Sequence, residues 1–111
     1  MRTPDSQEVT MYVVVASATA RPESRAELAQ LLAGAAEASR SEDGCLSYHF
    51  TGDLENPDAF SSFEIWRDQA ALQTHLAGPG VAGLLAKIGP LVAAPPTIVG
   101  YQVEGVPDQL A

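Results

Sequence analysis

Glu64, Trp66 and His75 fall within one short stretch, AFSSFEIWRDQAALQTHLA from Ala59 to Ala77, which sets two residue types that acid–base chemistry uses, an acid and an imidazole, beside an indole. An imidazole can take a proton, a carboxylate can orient that imidazole and raise its basicity, and an indole offers an apolar wall with one N–H donor. For these groups to meet, the stretch must be a strand followed by a helix folded back over it. The alternation predicts the strand: Phe60, Ser62, Glu64 and Trp66 share one face, and Ser61, Phe63 and Ile65 the other. Asp68 is the expected N-cap of the helix, and Leu72, His75 and Leu76 at i, i+3, i+4 form its apolar stripe. An acid, an indole and an imidazole would then line one largely apolar cavity.

The rest of the chain supplies elements to hold that pair. Met11 to Ala20 reads as a first strand, apolar on both faces at Val13-Val14-Val15 and so covered on both sides. Pro22 opens a helix to about Ser41, with Leu28, Leu31, Leu32 and Ala35 as its buried stripe and a capping-box spacing from Ser24 to Glu27. Glu42-Asp43-Gly44 is a turn, with Gly44 suited to a left-handed backbone. Cys45 to Leu54 is a second strand with Leu46, Tyr48 and Phe50 facing inward, and Glu55 to Asp58 returns the chain as a hairpin. After Gly78-Pro79-Gly80, read as a helix break, a further helix striped by Leu84, Leu85, Ile88 and Leu91 runs to about Ala93, and Thr97 to Glu104 is the last strand. The predicted fold is α+β, a ferredoxin-like split βαβ (βαββαβ) with an antiparallel sheet and its helices on one side. Residues 1–8 read as a flexible leader, 9–104 as the domain and 105–111 as a tail. The uncovered sheet face, bearing Val13, Val15, Phe63 and Ile65, predicts a homodimer, since burying each such side chain stabilises by roughly 1.5–3 kcal/mol.

Composition narrows the partners. The 111 residues are 46% apolar and 18% charged, as in a globular domain. A net charge of −8 with only six Lys and Arg excludes nucleic acid and anionic membrane surfaces as expected partners. One cysteine, Cys45, allows no intrachain disulfide or cysteine-based metal cluster and suits a reducing, cytoplasmic setting; it reads as a small apolar filler. No stretch has the length and apolarity of a membrane span.

The element order, the acidic-Gly turn before CLSYHF, the Phe-Glu-Ile-Trp strand, and Asp68 leading to His75-Leu76 and Gly78-Pro79 together resemble the antibiotic biosynthesis monooxygenase family over Met11 to Glu104. The resemblance implies a dimeric α+β barrel and, among its members, quinol and anthrone oxygenases that use O2 without flavin, haem or metal. The expected substrate is a small quinol-like or polyketide-derived aromatic, and no cofactor is expected. Relatives of this architecture also include haem-degrading enzymes and isomerases. The haem-degrading set pairs a tryptophan and a histidine, matched by Trp66 and His75, with a first-strand asparagine, where this chain has Ala16 or Ser17.

Cofactor-free oxygenation asks the protein to make and shelter an anion that passes an electron to O2. A phenol near pKa ~10 against a histidine near ~6.5 leaves deprotonation uphill by roughly 5 kcal/mol. Donors in a dry pocket offset that gap, and Trp66 N–H, Tyr48 or Tyr101 are the candidates. Catalytic roles thus fall to His75 as base, Glu64 as its orienting acid and Trp66. Phe60, Tyr48, Leu72 and Tyr101 are the candidate substrate contacts. The bland reading beside this is a satisfied core histidine paired with a buried Glu64, Trp66 as packing and His49 as an exposed or dimer-facing residue. The alternative functions are a haem-degrading or isomerase-type member of the same fold, or a non-catalytic dimer holding a small apolar ligand.

Overall fold

The computed structural model describes residues 9–105 and 108–111. The expected leader over 1–8 lies outside the described residues. Four strands, β1 (Val9–Thr19), β2 (Cys45–Gly52), β3 (Ala59–Trp66) and β4 (Thr97–Gly105), form one antiparallel sheet in the order β2-β3-β1-β4. Helices α1 (Arg25–Arg40), α2 (Gln69–Ala77) and α3 (Pro79–Ile88) pack over one face, which gives the ferredoxin-like α+β fold that the sequence predicts. No helix among the described residues is long and apolar enough to cross a membrane.

The alternation in β3 holds: Ser62, Glu64 and Trp66 are buried beneath the helices, while Phe63 is exposed on the opposite side. Two apolar clusters flank the site. Val14, Ala36, Tyr48, Trp66, Ala71 and Leu72 form one; Ala20, Leu28, Leu32, Ile88, Leu91 and Val92 form the other, and Phe50 packs against both. On the uncovered face Val13 lies between Ile65 and Tyr101 in register, and Phe63, Val99, Tyr101 and Val103 are exposed beside them.

At three places the chain departs from the sequence pattern. Leu46 is 57% exposed rather than inward, because the β2–β3 register shifts between Cys45 and Ser47 and turns it out of the alternation. Ser24 makes no side-chain cap; Pro22–Ser24 form a 3-10 turn, and the φ of −107° and ψ of 3° at Ser24 depart from the extended backbone that aims a hydroxyl at the first helical amides. The helix expected to reach Ala93 ends at Ile88 and tightens into a 3-10 turn at Gly89–Leu91, where Pro90 supplies no N–H to continue it.

Two devices fix the strand-to-helix connections that hold the site. Gly44 sits at φ +84°, and a Cβ there would collide with the Ala71 side chain at the start of α2. Left-handed strain and the collision together predict a loss of about 2–4 kcal/mol for Gly44→Ala, read by urea denaturation. At the other connection, the Asp68 carboxylate accepts the Ala71 N–H at 2.8 Å as the predicted N-cap. That amide, then Arg67, holds the Asp68 carboxyl below its ordinary value. Its folded pKa lies below its unfolded one, so its stabilisation is present above the unfolded value and is lost as pH falls through the folded value. Asp68→Asn retains a cap without the titration, and its stability therefore falls less steeply than wild type in acid denaturation below about pH 4.

Candidate active site

His75 enters from the last turn of α2, on the face that α2 turns to the sheet, and is 7% exposed. Its ring lies against Trp66, centroids 4.4 Å apart and tilted by 31°, and meets Tyr48 edge-on at 5.7 Å. Trp66 is fully buried. The strand–helix foldback thus brings indole and imidazole together as the sequence predicts.

The acid that holds the imidazole is not the expected one. His75 Nδ1 lies 3.0 Å from Glu42 Oε1 and 3.1 Å from Oε2, in the turn between α1 and β2. A carboxylate only accepts, so Nδ1–H donates, and in the neutral imidazole Nε2 carries the lone pair. Glu64 is occupied elsewhere: Trp66 Nε1–H donates to its Oε1 at 3.0 Å and Ser62 Oγ–H to its Oε2 at 2.7 Å. Glu64 and Trp66 are two apart on one strand face, so the carboxylate meets its neighbour's N–H before it can reach α2. The Trp66 N–H is accordingly spent on Glu64 rather than open to a ligand. Ser62 also accepts the Ala16 N–H at 2.9 Å, which ties this buried chain of bonds to β1. A carboxylate 3% exposed is tolerable only with such donors.

Between the two apolar clusters lies a cavity with about 50 Å³ of free space, walled by Val14, Ala16, Leu32, Leu84 and Ile88. Tyr48, Glu64 and His75 are among the polar side chains that line it. Burial, then the Glu64 carboxylate, pushes the Tyr48 phenol well above its ordinary value, so it keeps its proton and remains a donor. Leu76, Leu85 and Ile98 form a half-exposed apolar rim.

The other candidates sit apart from this cavity. Leu72 is buried in the cluster around Trp66. Phe60 packs in the second cluster and lines a separate groove under α1. Tyr101 is 57% exposed on the uncovered face, because it pairs with Val13 and strand alternation sends both away from the helices. Glu42 and Ser62 belong to the site although the sequence pattern does not single them out. The acidic-Gly turn is the sequence signal for Glu42, and a hydroxyl two positions before Glu64 on the same strand face is the signal for Ser62.

Comparison with known proteins agrees with this architecture. Residues 11–86 match the antibiotic biosynthesis monooxygenase family. An uncharacterized protein of Synechocystis sp. is 35% identical over 91 residues, 82% of this chain, and the aligned region spans 62% of that relative's length. A Bacillus subtilis protein provisionally named monooxygenase YcnE is 29% identical over 89 residues, covering 80% of this chain and 94% of its own. The crystal structure of a Deinococcus radiodurans protein, provisionally designated an antibiotic biosynthesis monooxygenase, superposes with a TM-score of 0.84 at 34% identity, over 90% of this chain and 99% of that one. Fold, element order and a match over most of its length agree: the chain belongs to the antibiotic biosynthesis monooxygenase family.

Proposed function

We propose that the protein is a cofactor-independent monooxygenase that oxidises a small quinol-like or polyketide-derived aromatic with O2. The observation that carries the reading is His75, fixed at Nδ1 by Glu42 and stacked on Trp66, beside the Tyr48 hydroxyl on an apolar cavity. Nε2 takes the substrate proton, and the electron pair stays on the substrate. The Tyr48 O–H steadies the anion as it forms, in surroundings where a fixed donor acts strongly. The anion then reduces O2; one oxygen atom enters the product and the other leaves as water, so the substrate supplies all the electrons.

The free space of about 50 Å³ is smaller than the ~150 Å³ of a cavity that takes benzene. A ring therefore enters this inner cavity only as the rim of Leu76, Leu85 and Ile98 parts. Oxygen uptake by metal-stripped protein across a panel of hydroquinones and anthrones, corrected for autoxidation, tests the reading. Uptake above background that survives chelators is expected. None across the panel would overturn it in favour of isomerisation or plain ligand binding.

The same proposal includes a homodimer closed through the uncovered sheet face. Val13, Ile65, Phe63, Val99 and Val103 make a continuous apolar patch of the kind that monomers seldom expose. In a twofold interface Val13→Asp sets like charges into an apolar seam, at a cost of several kcal/mol. Sedimentation at micromolar concentration should show a dimer for wild type and a monomer for the variant.

A further inference from the structure

His75 stands in the wall between two cavities. Its ring lines the inner apolar cavity and also an outer pocket formed with Ser39, Glu42, Gly78 and Pro79. The His75 side chain is 6% exposed and the Glu42 side chain 40%, so the pair runs from the interior to solvent. Nε2 makes no hydrogen bond among the described residues, and no buried side-chain nitrogen or oxygen among them lacks a partner. Nε2 therefore faces accessible space. The other ionisable groups on the inner cavity lead nowhere: Glu64 is closed off by Ser62 and Trp66, and Tyr48 holds its proton.

We propose that Glu42 is more than an orienting partner and serves as the proton conduit between the inner cavity and water. This rests on the reading of His75 as the base. When the substrate O–H or C–H breaks, Nε2–H forms and the bonding pair stays on the substrate. Nδ1–H then breaks, its proton crosses to a Glu42 oxygen, and the resulting acid releases it to water. The imidazole is left neutral with its N–H turned to the anion, where it donates. A proton returns by the same path when the departing hydroxide becomes water, so the cycle balances without any further reactant. Glu42 acts through His75 and never touches substrate; it is a positioning residue with a second, proton-carrying duty.

The test compares Glu42→Gln and Glu42→Ala with wild type in two readouts. The first, independent of any substrate, is exchange of the His75 ring proton with water, followed by NMR of 15N-histidine-labelled protein. The Gln amide oxygen can accept the same hydrogen bond but cannot hold the proton, so exchange should slow by about tenfold or more with the fold intact. The second is turnover of whichever panel compound wild type oxidises, which should fall in both variants. It should recover in Glu42→Ala as formate is added, since a small acid can reach the outer pocket. Ring-proton exchange in Glu42→Gln equal to wild type would overturn the conduit. Slowed exchange in a protein that oxidises nothing in the panel would keep the conduit and remove the oxygenase reading.

Discussion

His75→Ala is expected to lower kcat by about 10²- to 10⁴-fold, the range over which a positioned general base contributes. On the barrier this is roughly 2.7–5.5 kcal/mol. Folding should suffer less. The imidazole hydrogen-bonds to a half-exposed carboxylate that water can serve in its place, and the lost stack on Trp66 is worth about 0.5–1.5 kcal/mol beyond the area it buries. The variant should therefore melt cooperatively a few degrees below wild type while turning over almost nothing at saturating substrate. Unchanged kcat would remove His75 as the base. A loss of kcat that merely tracks a loss of folded protein would return His75 to the core.

The unequal legibility of these residues has a physical cause. The pairing of Trp66 with His75 could be read from the chain because two periodicities, of a strand and of a helix, meet at a capped connection marked by Asp68. The partner of the imidazole could not. Glu42 lies 33 positions from His75 in a turn that has no periodicity, so its direction is set by tertiary packing alone. Glu64 shares a strand face with Trp66, which points to it as the partner from sequence, and that same closeness commits it to the indole N–H. Tyr101 failed for another reason: β4 is an edge strand with Ile98 and Val99 apolar on successive positions, so its pattern does not say which face meets the helices. Leu46 is turned outward by a register shift, which alternation within one strand cannot reveal.

Trp66 should carry the largest single stability effect in the domain. Trp66→Ala is expected to cost about 3–5 kcal/mol, against a total of 5–15 kcal/mol for a typical domain. Packing alone predicts that Trp66→Phe, which keeps an aromatic ring in the site, loses much less. The hydrogen bond argues otherwise: without the indole N–H, Glu64 Oε1 is left without its donor in a site that is 3% exposed, at a further cost of about 1–3 kcal/mol. Adding Glu64→Gln to Trp66→Phe removes the charge that lost its partner, so the double variant should be more stable than Trp66→Phe alone. Additive losses in urea denaturation would show that the indole acts only as bulk. The same double variant separates folding from function. It retains the Glu42–His75 hydrogen bond but replaces the surface that sets the tilt of the imidazole, and its turnover should remain depressed even where its stability has recovered.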